Sequence, residues 1–162
     1  ALGVIVIDVA KAWLAVRIVP GVVSGSSPEW LALACGFAAI VGHVYPIFHG
    51  FRGGKGVATL LGTLLAVSPI LLFAVLAVWF LMMFAFGYVG LGSIVATASL
   101  PVLIFLGADL GYIAESARWP WIVFALACAL FVAWTHRSNL ARMRAGTEPR
   151  AHRLWLWGRW RA

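Results

Sequence analysis

The fold of this protein is decided by residues 70–86, which read ILLFAVLAVWFLMMFAF and contain no charged side chain. A helix of about 20 apolar residues crosses the ~30 Å hydrocarbon core of a bilayer, so this stretch predicts a membrane span. Similar apolar runs lie on both sides of it, at residues 1–19, 30–48, 56–67, 91–106 and 119–135. The sequence therefore predicts an all-α, polytopic integral membrane helical bundle built from six runs.

The composition excludes the common soluble classes. Apolar residues make up 64% of the chain and charged residues 10%, with a mean hydropathy of +1.01, whereas soluble domains average about 25% charged residues. The net charge of +7 raises the possibility of nucleic-acid binding, but the apolar runs leave no room for a soluble basic domain. We expect the positive charge to face anionic lipid and an anionic substrate. Cys35 and Cys128 offer neither a disulfide framework nor metal-ligand spacing, so we predict no metal and no cofactor.

Charge placement predicts the orientation in the membrane. Lys and Arg collect in the loop around Arg52 and Lys55 and in the tail after His136, and short cytoplasmic loops favour such residues. Both regions are therefore expected in the cytoplasm, with the linkers 20–29 and 107–118 outside. An even number of crossings must then separate the two basic regions. This favours a thin crossing for the short run 56–67, although its rise of about 18 Å also fits a re-entrant segment.

The same pattern predicts the domain organisation. Residues 1–136 form the membrane helical bundle, with a cytoplasmic phosphate-binding loop at 49–56. Residues 137–162 form a basic cytoplasmic tail, whose amphipathic end of alternating Trp and Arg suits an interfacial anchor.

The most informative segment is GHVYPIFHGFRGGKGVAT at residues 42–59. Gly53, Gly54 and Gly56 surround Lys55 at the start of a helix, where backbone N–H groups, the helix end and an ammonium group can meet one anion. The segment is not a nucleotide P-loop, because Gly56 follows the lysine where that loop requires Ser or Thr. A simpler interpretation is a tight turn whose cations only obey the positive-inside rule.

A second polar segment, HRSNLARMRAGTE at residues 136–148, follows the last run on the same face. If it is helical, His136, Asn139 and Arg142 or Met143 lie on one side, three or four residues apart. The alternative is an ordinary basic helix beside the membrane.

Five further residues are open to two interpretations. Asp8 and Lys11 stand three positions apart and can pair on one helix face. A charge in the membrane costs about 2.5–3.5 kcal/mol, so we expect both to have a purpose, either reaching a site or linking helices. His43 is either a site residue or a satisfied histidine at a helix end, and His49 is expected at the surface. Ser93 either donates to a substrate phosphate or caps its helix, with the cap favoured.

Together these segments resemble the bacterial integral-membrane acyl-phosphate:glycerol-3-phosphate acyltransferases. The pattern G-H-x-x-P-x-F-x-x-F-x-G-G-K-G-V-A-T is met at residues 42–59, and H-R-x-N-[IL]-x-R-x-x-x-G-x-E at 136–148. Asp8 to Lys11 resembles the family's Asp-x-x-Lys element, and Ser93 lies where the family has a serine. The resemblance implies seven spans, an extracytoplasmic N-terminus and a cytoplasmic active site in the bacterial inner membrane, with the six runs matching spans two to seven.

The resemblance also implies a reaction in phospholipid biosynthesis. A fatty acyl group passes from acyl-phosphate to the sn-1 hydroxyl of glycerol 3-phosphate, giving lysophosphatidate and phosphate. The partners are then these two substrates and membrane lipid, and no nucleic acid. The implied catalytic residues are His43, His136 and Asn139; the phosphate-binding residues are Arg52, Gly53, Gly54, Lys55, Gly56, Thr59, Ser93 and Arg137; the structural residues are Asp8, Lys11 and Glu148, the last paired with an arginine.

Acyl-phosphate is already activated, so direct transfer without a covalent intermediate is expected. The hydroxyl proton is expected on a phosphate oxygen of the donor, with His136 and His43 as the alternative acceptors.

One part of the family pattern is not found. The first span and the first motif, Ser-Gly-Asn-x-Gly-Ala-x-Asn, have no counterpart ahead of Ala1. We therefore expect an N-terminally truncated member. Two other functions stay open, a small-anion transporter built on a glycine-broken helix end and a catalytically silent homologue.

Overall fold

The computed structural model describes residues 2–24 and 28–151, which form a bundle of helices. The eight α-helices of this part of the chain are α1 (Leu2–Ser24), α2 (Glu29–Val44), α3 (Val57–Val67), α4 (Pro69–Phe86), α5 (Val89–Ala98), α6 (Leu100–Asp109), α7 (Arg118–Thr135) and α8 (Arg137–Arg144). Two short 3₁₀ turns, Ile47–His49 and Glu115–Ala117, follow α2 and precede α7. The predicted all-α bundle is confirmed.

Four segments of the described chain are long and apolar enough to cross a membrane. They are Glu29–His49, Pro69–Phe86, Val89–Asp109 and Glu115–Thr135. The 23 residues of α1 also suffice in length, but this helix carries Asp8, Lys11 and Arg17. Many large apolar side chains face outward, as expected for helices that contact lipid.

The short helix α3 lies at the centre of the bundle. Its eleven residues rise about 16 Å, and it packs against α1, α2 and α4. Gly62 makes the approach to α1 possible, because a Cβ there would stand 2.8 Å from Cα of Val9. Gly36 of α2 similarly lies against the side chain of Thr63. Small residues thus allow three backbones to meet around a helix that is too short to span a bilayer alone.

The run at 91–106, predicted as one helix, is two. The chain turns at Ser99 between α5 and α6, because Pro101 in the first turn of α6 has no N–H to continue the hydrogen-bond ladder. Backbone bonds continue on both sides, from Ser99 N to Val95 O at 2.9 Å and from Leu103 N to Ser99 O at 3.0 Å. The two helices therefore form one apolar segment with a break near its middle.

Polar contacts hold the starts of α2 and α7 together at one end of the bundle. The indole N–H of Trp121 donates to the carboxylate of Glu29, and Arg118 pairs with Asp109 at 2.7 Å and with Glu115 at 2.6 Å. Because α2 and α7 run in parallel, their other ends, at His43 and His136, meet at the opposite side.

Candidate active site

A cavity of about 410 Å³ lies where the ends of α2 and α7 meet the starts of α3 and α5. Six polar side chains line it: His43, Lys55, Ser93, Thr97, His136 and Asn139. The rest of the lining is mostly apolar, and its largest share comes from α4, with Val75, Leu76, Trp79 and Phe80. The cavity therefore joins a cationic polar end to an apolar surface, as a ligand with an anionic head and a hydrocarbon tail requires.

The loop between α2 and α3 brings Lys55 to this cavity. After α2 the backbone turns through Gly50 and Phe51, both at φ 60°, and the N–H of Gly53 returns to the carbonyl of Val44 at 3.0 Å. Gly56 begins α3 at φ 85°, where a Cβ would stand 2.9 Å from Ile40 Cγ2. Glycine is required there by both the backbone angle and the space. The N–H of Gly53 is thus bonded within the loop in this structure, and the predicted contact of Gly53 with a phosphate stays a prediction.

Lys55 is tied to α8 through Asn139. The Lys55 ammonium donates to Oδ1 of Asn139, and Nδ2 of Asn139 donates to Glu148 Oε1 at 2.6 Å. Glu148 Oε2 accepts from Arg142 Nε at 2.7 Å, which confirms the predicted pairing of Glu148 with an arginine. The amide of Asn139 can have only one orientation in this chain of bonds. Its carbonyl oxygen faces the lysine, which retains two further N–H donors for a ligand.

The electrostatics of these groups favour an anion. Partial burial lowers the pKa of Lys55, and the positive charge of Arg142 lowers it further, while Glu148 opposes both. Burial acts to raise the pKa of Glu148, but its hydrogen bonds from Asn139 and Arg142 outweigh this and lower it. Glu148 is therefore a carboxylate at neutral pH, and within residues 2–24 and 28–151 no carboxylate is in direct contact with Lys55. An anionic ligand can supply that charge.

His136 follows α7 and is buried at 3% exposure. Its Nδ1 lies 2.9 Å from the carbonyl oxygen of Val132, which can only accept, so Nδ1 carries the proton and Nε2 bears a lone pair. Burial lowers the pKa of His136, and the nearby Lys55 lowers it further, against the Val132 hydrogen bond. At neutral pH the imidazole is therefore uncharged. Its Nε2 can accept a hydrogen bond from a ligand hydroxyl.

Asp8, Lys11 and His43 meet where α1 crosses α2. The Lys11 ammonium donates to Asp8 Oδ1 at 2.6 Å and lies 2.7 Å from Nδ1 of His43, and this nitrogen is 3.2 Å from Asp8 Oδ1. The predicted pairing of Asp8 with Lys11 is confirmed. The pair also contacts His43, a residue of the cavity wall.

Ser93 lies inside α5 and is buried at 4% exposure. Its Oγ donates to the carbonyl oxygen of Val89 at 3.0 Å and lines the cavity. The helix begins at Val89 with Tyr88 as the preceding cap residue, two positions before the predicted start of the run. The favoured interpretation of Ser93 as a helix cap is therefore wrong.

A model of the family described as glycerol-3-phosphate acyltransferase matches residues 1–146. The chain belongs to this family. Three relatives named glycerol-3-phosphate acyltransferase are similar to it: one from Albidiferax ferrireducens at 40% identity over 93% of this chain, one from Methylorubrum populi at 40% over 81%, and one from Geobacter sulfurreducens at 42% over 78%. The chain spans 66%, 60% and 60% of the length of these relatives.

Two solved structures of a member of the glycerol-3-phosphate acyltransferase family have the same fold. Both are crystal structures of PlsY (YgiH), described as an integral membrane glycerol 3-phosphate acyltransferase, with 32% identity to this chain. The match to the lysophosphatidic acid form has a TM-score of 0.77 and covers 92% of this chain and 71% of the PlsY chain. The match to the glycerol 3-phosphate form has a TM-score of 0.75 and covers 92% of this chain and 70% of the PlsY chain.

Family membership and the apolar helices together show a multi-pass membrane protein. Neither the family match nor the solved structures support the transporter interpretation. The predicted resemblance to the glycerol-3-phosphate acyltransferase family is confirmed.

Several residues with implied phosphate contacts do not line the cavity. Arg52, Gly53 and Gly54 are exposed on the loop, and Thr59 is fully buried beside it with no hydrogen-bond partner for its hydroxyl within the described residues. Arg137 is also exposed; it donates to Trp134 O at 3.0 Å and stacks over the Trp134 ring. Lys55, Gly56 and Ser93 are the members of that set that reach the cavity. His49 is at the surface, as predicted.

Sequence reasoning missed two residues that shape this candidate site. Gly90 lets α8 approach α5, because a Cβ there would stand 2.9 Å from Cβ of Asn139. The signal for it was a glycine inside an apolar helical pattern. Thr135 Oγ1 bonds the Lys55 backbone carbonyl at 3.0 Å, across 80 positions of sequence, and no local pattern indicates such a contact.

Proposed function

We propose that this protein transfers a fatty acyl group from acyl-phosphate to the sn-1 hydroxyl of glycerol 3-phosphate, forming lysophosphatidate and inorganic phosphate. The observation that carries the proposal is a single cavity that is lined both by Lys55 and by apolar residues of α4. An acyl-phosphate has a phosphate head and a hydrocarbon tail, and this cavity offers one surface to each.

The solved relatives support the second substrate and the product. Their descriptions name a glycerol 3-phosphate form and a lysophosphatidic acid form of one integral membrane protein. A polar cavity wall with Ser93, His136 and Asn139 can bind glycerol 3-phosphate through its phosphate and hydroxyl groups.

We assign the phosphate contacts to Lys55, to the start of α3 at Gly56 and to Ser93, whose hydroxyl can rotate from the Val89 carbonyl to donate to a phosphate. The helix start contributes about 0.3–1 kcal/mol, so the lysine must supply most of the charge compensation. Arg52, Gly53, Gly54, Thr59 and Arg137 receive no such role, because they lie outside the cavity wall. Asp8, Lys11 and Glu148 act on the residues that line it.

The transfer needs no nucleophile from the protein. The sn-1 oxygen attacks the acyl carbonyl, the new ester C–O bond forms, and the C–O bond to phosphate breaks. The hydroxyl proton passes to a phosphate oxygen of the leaving group, which departs as inorganic phosphate. Holding two anions in line and offsetting their charge is then the work of Lys55 and the helix start. His136 Nε2 accepts a hydrogen bond from the other hydroxyl of glycerol 3-phosphate and so orients the substrate.

The positive residues around this end of the bundle support a cytoplasmic active face and tail in the bacterial inner membrane. The acyl-phosphate would then enter from the surrounding lipid, and glycerol 3-phosphate from the cytoplasm. The division into a bundle at 1–136, with its loop at 49–56, and a basic tail at 137–162 follows the same boundary. The tryptophans of the tail lie outside the described residues.

Acyl transfer from palmitoyl-phosphate to labelled glycerol 3-phosphate tests the proposal. The assay compares the purified chain in lipid nanodiscs with a chimera that adds the parts of the Albidiferax ferrireducens relative that the chain does not cover. We expect labelled lysophosphatidate from the chimera, and a loss of about 100-fold in kcat/KM in Lys55→Met, equivalent to ~2.7 kcal/mol. His49→Gln, an exposed change in the same loop, is the matched control and should leave kcat/KM unchanged.

Two results would contradict the proposal. Folded protein without transfer in either form would indicate a silent homologue. Uptake of phosphate into sealed vesicles without acyl transfer would indicate a transporter.

A further inference from the structure

The contact between α1 and His43 determines which nitrogen of His43 carries a proton. The Lys11 ammonium lies 2.7 Å from His43 Nδ1, closer than the carboxylate of Asp8 at 3.2 Å. An ammonium has three N–H donors and no acceptor. A protonated Nδ1 would place two donors against each other at this distance, so Nδ1 must present its lone pair to Lys11. The neutral imidazole then carries its proton on Nε2.

Asp8 makes this arrangement possible. It is buried at 8% exposure and holds the ammonium of the partly exposed Lys11 at 2.6 Å, which balances the two charges where α1 crosses α2. A charge in that position is costly without such a partner. The carboxylate of Asp8 therefore fixes the position of the Lys11 ammonium, and another N–H of that ammonium points at His43.

The other edge of the His43 ring faces the loop and the cavity. A Cβ on Gly54 would stand 2.9 Å from Cε1 of His43 and closer still to Nε2. The absence of a side chain at Gly54 leaves Nε2 next to the backbone that precedes Lys55. Both His43 and Lys55 line the cavity.

We propose that Asp8 and Lys11 are positioning residues that hold His43 as an Nε2–H donor to a substrate phosphate, so that His43 does not accept the hydroxyl proton. This inference rests on the proposed function for the identity of the acceptor. The two histidines of the cavity then have opposite tautomers. His136 offers a lone pair to a hydroxyl, and His43 offers an N–H to an anion.

Nitrogen-15 spectra of histidine-labelled protein in nanodiscs test the tautomer without any activity measurement. Signals present in the wild type and absent in His43→Gln belong to His43. We expect a protonated Nε2 and an unprotonated Nδ1. In Lys11→Met the carboxylate of Asp8 becomes the nearest partner of Nδ1, so the proton should move to Nδ1. A proton on Nδ1 in the wild type, or the same tautomer in both proteins, would overturn the proposal.

Two substitutions of His43 separate donor from acceptor roles in the assay. The side-chain amide N–H of Gln reaches the position of Nε2, and that of Asn reaches the position of Nδ1. We expect His43→Gln to stay within about 10-fold of the wild-type kcat/KM and His43→Asn to fall by about 100-fold, the loss expected for a hydrogen bond to a charged group. Equal losses in both variants would contradict a donor at Nε2.

The Lys11→Met variant adds a kinetic readout. We expect its KM for one of the two phosphate substrates to rise about 10-fold, with a smaller change in kcat, because a binding contact is misplaced. A fall in kcat at unchanged KM would contradict this role. An inactive wild type would remove the proposed function and leave the tautomer result standing, whereas an active wild type with the other tautomer would remove the present inference alone.

Discussion

At the scale of single residues, Asn139 connects the two polar segments of the chain. Its oxygen accepts from Lys55 and its nitrogen donates to Glu148, so rotating the amide by half a turn would break both bonds. Glu148 therefore determines the direction of Asn139, and Asn139 determines where the Lys55 ammonium lies. A carboxylate that is remote from the substrate can affect phosphate binding in this way.

The low pKa of His136 gives a prediction about pH. Burial and Lys55 hold this pKa below its ordinary value of 6.5, so the neutral acceptor form persists above it and is lost as the pH falls through it. We expect wild-type kcat/KM to be level from pH 8 to about 6.5 and to decline at lower pH. His136→Gln has no titrating ring, so its kcat/KM should show only the smaller decline that comes from titration of the substrate phosphate.

The ratio of the two profiles is the measurement, because the glycerol 3-phosphate itself titrates with a second pKa of about 6 in both proteins. A constant ratio between pH 8 and pH 5 would show that His136 does not titrate in the free enzyme.

The residues that carry charge or hydrogen bonds were predictable as candidates, but their partners were not. Asp8 and Lys11 stand three positions apart, and helical spacing alone predicts their pair. Their contact with His43 depends on how α1 crosses α2, because Lys11 and His43 are 32 positions apart in the sequence. The occupied N–H of Gly53 was also out of reach, because the return of the loop to Val44 depends on the left-handed turn at Gly50 and Phe51.

At the scale of elements, α3 is stabilised by close contacts with neighbouring helices more than by its own few backbone hydrogen bonds. Eleven residues give few hydrogen bonds, and α1, α2 and α4 surround it. The sequence predicted this helix within one residue of its observed start, but its central position depends on Gly36 and Gly62, which no periodicity marks. The break at Ser99 was predictable only from Pro101, because a proline inside an apolar run indicates that the helix ends or bends there.

A prediction at this scale concerns Gly62. Gly62→Ala places a methyl group against the backbone of Val9, which cannot rotate away, so α1 and α3 must separate. We expect a loss of about 1–3 kcal/mol in the free energy of unfolding, seen as a lower Tm in detergent. Gly42→Ala is the matched control, because a Cβ at that helical glycine meets no atom within 4 Å. Equal Tm values for the two variants would show that the close contact between α1 and α3 does not limit stability.

At the scale of the whole molecule, the two ends of the bundle differ in chemistry. One end gathers Glu29, Asp109, Glu115 and Arg118, and the other holds the cavity and the basic residues of α8. An end with net negative charge and an end with positive charge are what the positive-inside rule describes. The sequence alone predicts this division, since it depends on where the charges stand between runs.

Cysteine labelling in intact cells tests the resulting orientation. Ser116 and Ser138 are both exposed, and they lie beyond opposite ends of α7. After Cys35 and Cys128 are replaced by Ala, Ser116→Cys should react with a membrane-impermeant thiol reagent from outside. Ser138→Cys should react only after the cells are opened. The reverse pattern would place the cavity on the extracytoplasmic side.

The bond between Lys55 and Asn139 also has a consequence for biosynthesis on the ribosome. The two residues are 84 positions apart, so at 5–20 residues per second roughly 4 to 17 s pass between the synthesis of one and of the other. Throughout that interval the helices up to α7 can insert, while the lysine still lacks its amide partner. A nascent chain halted before α8 thus lacks the Asn139 partner of Lys55, and the proposed phosphate site can form only after α8 has been translated.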